Sequence, residues 1–293
     1  MSPTLNADLH CHSVISDGTL TPEELAQRAK DKGVELWALT DHDEIGGLAR
    51  AAAAAAALGL DYLTGVEISV SFLNQTVHIV GLGFDANNSA LREGLAQTRG
   101  GRAQRARAMA DDLARVGITG TFEGALKFAG NHDLISRTHF ARFLVETGVC
   151  KDTYEVFRKY LTEGKPGYVA HRWATLKEAV YWIRDAGGLA VIAHPARYKF
   201  SANEEFALFT EFKGFGGQGV EVVTGSHSAA DSVTYTDVAL EFALAASRGS
   251  DFHSPAESRT DLGELPALPE QLTPIWTLLQ HQIQKAPQGL MPT

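Results

Sequence analysis

The sequence predicts an α/β sheet or barrel interrupted by an all-helical insertion, and three observations carry that expectation. Strand-like and helix-like stretches alternate over the first third of the chain and resume after about residue 175. Between about 98 and 165 three stretches look helical with no convincing strand between them. A length of 293 residues is enough for one large domain or two modest ones with a sizeable core.

The elements follow in chain order. Asn6 to Cys11 reads as a short first strand. Thr21-Pro22-Glu23-Glu24 supplies an N-cap, a proline at the first helical position and a glutamate at the third, opening a helix that stops near Gly33. Val34 to Thr40 is a mostly apolar strand ending in Asp41-His42-Asp43. The alanine block Ala51 to Ala57 is a plain helix closed by Gly59, alanine being the best helix former. Strands are expected over Asp61 to Thr64 and Thr76 to Phe84, with Gly65-Val66-Glu67 between them. Helices over Arg99 to Val116, Arg137 to Thr147 and Asp152 to Leu161 form the insertion. Then come a helix Leu176 to Ala186, a strand Leu189 to Ala193, a strand Gly219 to Val223, a helix Ala229 to Ala246 and a short strand before Ser250.

Composition narrows the class. With 44% hydrophobic and 21% charged residues the chain matches an ordinary globular protein. Its net charge of −9 speaks against an extended DNA surface or an anionic-membrane footprint. That charge is unevenly spread: positions 98 to 172 hold 13 basic and 8 acidic residues, leaving 13 against 27 elsewhere. Only Cys11 and Cys150 occur, so a reducing, cytoplasmic setting is expected rather than a disulfide framework. Met1 to Asp8 carries neither the basic nor the apolar region of a signal peptide, and no run reaches membrane-spanning length.

Chemistry is concentrated where predicted strands give way to loops. His10 and His12, Asp17, His42, Glu67, His78, His194, Asp251 and His253 occupy such positions or a strand beside them. In a β/α barrel the C-terminal strand ends share one mouth, so residues scattered over the chain would converge there. His-x-His on a strand points both imidazoles to one side, and Asp251-x-His253 repeats the geometry with one carboxylate. Nitrogen and oxygen ligands without cysteine suit Mn, Zn or Fe, and carboxylates can bridge ions. Singly, each has an ordinary explanation: His78 as a buried hydrogen-bonded histidine, Thr40-Asp41-His42 as a capping turn, His194-Pro195 as a strand end. Their joint occurrence in one kind of position favours a metal site. Cys11 is expected to turn into the core between two ligands. Trp37, Trp173, Trp182 and Trp276 read as packing residues, with Trp173 close enough to Tyr168 to watch. The arginines Arg99, Arg102, Arg105 and Arg107 read as a solvated helix face.

His10-x-His12, Asp17-Gly18, Thr40-Asp41-His42, Gly65-x-Glu67, His78, His194-Pro195 and Ser250-Asp251-x-His253 resemble the successive motifs of the PHP (polymerase and histidinol phosphatase) phosphoesterases, over about residues 5 to 260. The resemblance implies a distorted (β/α)7 barrel, here residues 1–97 and 166–293, with residues 98–165 as an inserted helical cap. It implies three divalent ions, of which manganese is the expected identity and zinc or iron the alternatives. Carried over by position, His10, His12, Glu67 and Asp251 would hold one ion, Glu67, His78 and His194 a second, and Asp17, His42 and His253 a third. Ser136-Arg137-Thr138-His139 with Gly164-Lys165-Pro166-Gly167-Tyr168 is similar to the tryptophan-operon-linked subgroup. That similarity implies removal of the 3′-phosphate from nucleoside 3′,5′-bisphosphates and 5′-to-3′ trimming of short RNA. Arg137, His139, Lys165, Tyr168 and Arg197 are then the candidate substrate contacts, through bidentate phosphate bonds and base stacking. The expected nucleophile is a hydroxide generated by the ions, with His227 and His139 as candidate acids for the leaving oxygen. Rival readings are a histidinol phosphate phosphatase, which should not need the arginine-bearing insertion, an amidohydrolase, and a non-catalytic nucleotide- or RNA-binding metalloprotein.

Overall fold

The computed structural model describes residues 5–286, so Met1 to Thr4, part of the segment read for a leader, lie outside it. Seven strands form a nearly closed barrel: β1 (Ala7–Asp8), β2 (Leu36–Leu39), β3 (Asp61–Phe72), β4 (Gln75–Leu82), β6 (Leu189–Ile192), β7 (Gly219–Thr224) and β8 (Ala245–Gly249), with a short β5 (Ala174–Thr175) beside β3. Beyond β1 and β8 the chain closes the ring, with Leu9 N–H donating to Arg248 C=O at 3.1 Å, Asp251 N–H to His10 C=O at 2.8 Å, and Cys11 bridging Phe252. The barrel is distorted because β4 runs antiparallel to both neighbours, β3 and β6. A tight hairpin makes that reversal, with Leu73 and Asn74 both at positive φ, as a twisted two-residue turn requires.

Helices α1 (Pro22–Asp31), α2 (Leu48–Leu58), α3 (Ser89–Arg99), α8 (Leu176–Asp185), α9 (Ala202–Gly214) and α10 (Ala229–Glu241) surround the barrel. Thr21 and Glu24 close the expected capping box on α1, and Gly59 ends α2 in the left-handed conformation. The barrel strands and the helices around them share one apolar core, which includes Cys11 and the fully buried Trp37 and Trp276. Helices α4 (Arg102–Arg115), α5 (Thr121–Leu126), α6 (Arg137–Glu146) and α7 (Thr153–Val156) build a second apolar cluster around Leu113, Phe140, Leu144 and Leu161. No described helix is long and apolar enough to cross a membrane.

Several boundaries differ from expectation. Gly65 does not break a strand: β3 runs straight through it, because a Cβ there would lie 2.6 Å from Leu39 C=O and only glycine lets β2 come that close. The helix expected over Arg99 to Val116 is α4, Arg102–Arg115; Arg99 instead ends α3, a helix not expected, and Gly100-Gly101, where helix propensity is lowest, parts the two. α10 ends at Glu241 rather than Ala246, with Ala243 at φ 48° turning the chain into β8; nothing apolar or polar in the local sequence marks that turn. Phe157–Leu161 continues α7 as a π-helix. α9 was signalled by a capping box, Ser201 with Glu204, that the strand-and-helix alternation overlooked.

Candidate active site

The barrel mouth gathers the nine predicted ligands. His10 and His12 follow β1, His42 follows β2, His194 follows β6, and Asp251 and His253 follow β8. Glu67 and His78 reach the same mouth because β3 extends past the end of β2 and β4 returns antiparallel; Ser69 pairs with His78, which puts Glu67, Ser69 and His78 on one face of the hairpin. Glu67 is the hub. Its Oε1 lies 2.9 Å from His78 Nδ1, 2.9 Å from His194 Nε2 and 3.3 Å from His10 Nε2, and its Oε2 lies 2.8 Å from His42 Nδ1 and 3.3 Å from His12 Nε2. Asp251 Oδ1 stands 3.2 Å from His12 Nε2, and Asp17 Oδ1 3.4 Å from His253 Nε2.

These groups fit divalent ions on their own geometry. Candidate ligand atoms form four mutually close sets: His12, Asp17, His42 and His253; His10, Glu67 and His194; His10, His12 and Asp251; and His42, Glu67 and His78. His10 Nε2 and His12 Nε2 lie 3.2 Å apart with Glu67 and Asp251 beside both, so the same two nitrogens that can share a hydrogen bond could instead both face a cation. Asp17 Oδ1, Glu67 Oε2 and His12 Nδ1 are buried with no hydrogen-bond partner. Burial, followed by the neighbouring His253 and His42, pushes His12 down to about 3, so it is neutral and free to ligate.

The supporting contacts are carboxylates outside the nine candidate ligands: Glu221, which the sequence does not single out, and Asp41, which it places only within Thr40-Asp41-His42. Glu221 on β7, fully buried, accepts from His10 Nδ1–H at 2.8 Å and from the His194 backbone N–H at 2.7 Å. It thereby fixes which His10 nitrogen points into the mouth. A lone glutamate in the apolar strand Gly219-Val220-Glu221-Val222 was the available signal, since buried charge needs a partner. Asp41 accepts from Ser13 N–H at 2.8 Å, Ser13 Oγ at 2.7 Å and Ser16 Oγ at 2.5 Å, tying the loop that carries Asp17 to β2; burial pushes it up to about 6 against those bonds. Asp43, His194 and Asp251 all hold positive φ, strain concentrated at the mouth.

Seven of the nine candidate ligands border a cavity of about 120 Å³; His10 and His12 do not. Its other wall is Arg102, Arg105, Arg137, Arg197 and Trp173. Arg102 and Arg105 are thus not a solvated face: Arg102 is buried, donates to Asp43 Oδ2 and lies 4.8 Å from the Trp173 ring centre, with Arg105 at 5.3 Å. Trp173, read as packing, is buried and borders the cavity while its Nε1–H donates to Thr76 Oγ1 at 3.2 Å. Arg99 donates to Asp43 C=O at 2.7 Å, and Arg107 is exposed over Phe122. Arg105 and Arg137 donate only to carbonyl oxygens, of Val169 at 2.9 Å and Leu161 at 3.3 Å, among the described residues. Burial and then the charges of Arg137 and Arg102 push Arg105 down to about 9. Arg105 and Arg137, crowded and without a carboxylate partner among the described residues, are suited to accept an anion, whereas Arg102 and Arg197 are already paired with Asp43 and Asp251.

Of the remaining candidates only Arg197 reaches the cavity. Arg197 donates to Asp251 Oδ2 at 2.5 Å, at the cavity edge. Lys165 is exposed and Tyr168 half-buried, and neither borders the cavity. His139 is buried, its Nδ1 accepting from Ser136 N–H at 3.0 Å as a helix cap, and burial holds it down at about 4. His227 is also outside the cavity. Its Nδ1–H donates to Val222 C=O at 3.1 Å, its Nε2 accepts from Ala196 N–H at 3.4 Å, and its ring stacks on Tyr235.

Comparison with known proteins places this arrangement. Residues 8–93 match the PHP domain model. A 3′,5′-nucleoside bisphosphate phosphatase from Chromobacterium violaceum is 52% identical over 278 residues, 95% of this chain and 98% of that one. The 5′-3′ exoribonuclease Rnm of Escherichia coli is 40% identical over 276 residues, 94% of each chain. A solved structure described as an amidohydrolase from Chromobacterium violaceum, with bound sulfate and no metal, superposes with a TM-score of 0.93 at 52% identity, covering 96% of this chain and 98% of the other.

Proposed function

The chain belongs to the PHP family of phosphoesterases, and from that premise we propose that it hydrolyses the 3′-phosphate of nucleoside 3′,5′-bisphosphates, yielding nucleoside 5′-monophosphate and inorganic phosphate, and also trims short RNA from the 5′ end. One observation carries the reading: a nine-residue histidine and carboxylate cluster faces a wall of arginines across one small cavity. The cluster suits a reacting phosphate and the wall a second phosphate that does not react.

His10, His12, Asp17, His42, Glu67, His78, His194, Asp251 and His253 would hold divalent ions, three in our reading, of the manganese, zinc or iron class. When bound, such ions lower the pKa of a water and offset charge on phosphate oxygens. Glu221 orients His10, and Asp41 holds the Asp17 loop, so the ligands are in place before substrate arrives. Arg105 and Arg137 bind the second phosphate, with Arg102 fixed beside them by Asp43 and Trp173. Arg197, at the edge near Asp251, offsets charge on the reacting group. Water attacks phosphorus, the P–O3′ bond breaks, and O3′ leaves protonated. His227 and His139 are given no acid role, because each already caps or braces the backbone away from the cavity. We place the reaction in the cytoplasm, in keeping with two free cysteines.

A manganese-supplemented phosphate-release screen over adenosine 3′,5′-bisphosphate, nucleoside monophosphates and histidinol phosphate tests the reading. Turnover should be fastest with the bisphosphate; a preference for histidinol phosphate would overturn it.

A further inference from the structure

A second, larger opening meets the site from the other side. Asp251, His253 and Arg197 border both the arginine-walled cavity, about 120 Å³, and a groove of about 510 Å³. The groove's far lining includes Tyr154 on α7, 67% exposed, and the exposed Arg259 in the loop after β8. Of its two acidic members, Asp251 is paired with Arg197 at 2.5 Å and Glu257 is neutralised by a two-bonded pair with Arg142, at 2.8 and 2.7 Å. The groove thus offers an aromatic face and an unopposed cation next to the reacting position.

The chemistry says what such a groove could hold. In a 3′,5′-bisphosphate the reacting phosphorus carries only terminal oxygens besides O3′, and all can face the cluster. In an RNA strand one of those oxygens bears the next nucleoside, which must lie in open space away from both the departing nucleotide and the incoming water. We infer that this groove is the subsite for the second nucleotide of an RNA 5′ end, with Tyr154 stacking its base and Arg259 meeting the following phosphate. The inference rests on the function proposed above and assigns the strand a path. Water adds to phosphorus, the P–O3′ bond breaks, and the first nucleotide departs as a 5′-monophosphate with its O3′ protonated. The shortened chain keeps the phosphate on its new first nucleotide, ready for another cycle.

The test measures AMP release by the full chain with manganese, from adenosine 3′,5′-bisphosphate and from the 5′-phosphorylated triribonucleotide pApApA. Tyr154→Ala and Arg259→Ala remove exposed side chains, so folding is not at stake. Each should leave bisphosphate turnover within about twofold of wild type and lower kcat/KM on pApApA at least about fivefold, which for Tyr154→Ala is the low end of what one stacked base contributes. Arg259→Ala should also flatten the salt dependence on pApApA. Parallel losses on both substrates would mean that the groove seats the departing nucleotide, and unchanged pApApA turnover would mean that it seats nothing; either overturns the inference. Wild-type cleavage of the bisphosphate but not of pApApA sinks this inference alone, whereas cleavage of neither sinks the proposed function with it.

Discussion

Glu221→Gln removes one charge and one acceptor while keeping the side chain's shape. The native carboxylate serves two donors at once, His10 Nδ1–H at 2.8 Å and His194 N–H at 2.7 Å, in a fully buried position. An amide has one oxygen, so one of the two donors must meet an NH2 group. A hydrogen bond to a charged group contributes about 1.5–3 kcal/mol. At about 1.4 kcal/mol per tenfold, that predicts a loss of roughly 10- to 100-fold, the range expected when the outer partner of a metal-bound histidine is removed. The loss should fall on ion affinity, because Glu221 touches two ligands and does not border the cavity. Manganese titration of phosphate release separates the cases: the midpoint should move to about 10- to 100-fold higher manganese, with most of the maximal rate recovered at saturation. An unchanged midpoint would refute the positioning role.

Three further perturbations follow from the same geometry. Arg137→Ala should lower kcat/KM for adenosine 3′,5′-bisphosphate by about 100-fold while changing adenosine 3′-monophosphate little, since remote binding energy is lost only where a second phosphate exists; parallel kinetics on the two substrates check this. Gly249→Ala would place a Cβ 2.3 Å from the His10 Cβ, so the variant should lose bound metal and activity together, read by metal content after dialysis. Leu113→Ala, in the second apolar cluster, should cost about 2–5 kcal/mol. Limited proteolysis should then cut within 98–165 before it cuts the barrel.

The nine candidate ligands could be brought together without a structure because each combines a ligand-type side chain with a strand end or the neighbouring hairpin, and barrel topology turns that shared position into proximity. Glu221 could not be found that way: its partners, His10 and His194, lie 211 and 27 residues distant, and nothing beside it in sequence names them. Arg102 and Arg105 were misread for a related reason. Helical spacing shows that they share a face of α4 but not what that face meets, and it meets Trp173, Asp43 and the cavity rather than water. Lys165 and Tyr168 show the reverse, a motif adjacent to the site in sequence whose side chains do not border the cavity. The sequence puts Gly65 just past the end of an expected strand, whereas it lies within β3, where the close approach of β2 requires it.

We propose that phosphate release depends on divalent ions held by the cluster around Glu67. Metal content and phosphate release from adenosine 3′,5′-bisphosphate, measured on the same protein before chelation, after it and after manganese is returned, test that claim directly. Activity should fall with the ions and return with them, and Glu67→Gln should prevent both binding and recovery. Full phosphate release by protein shown to be free of metal would contradict it.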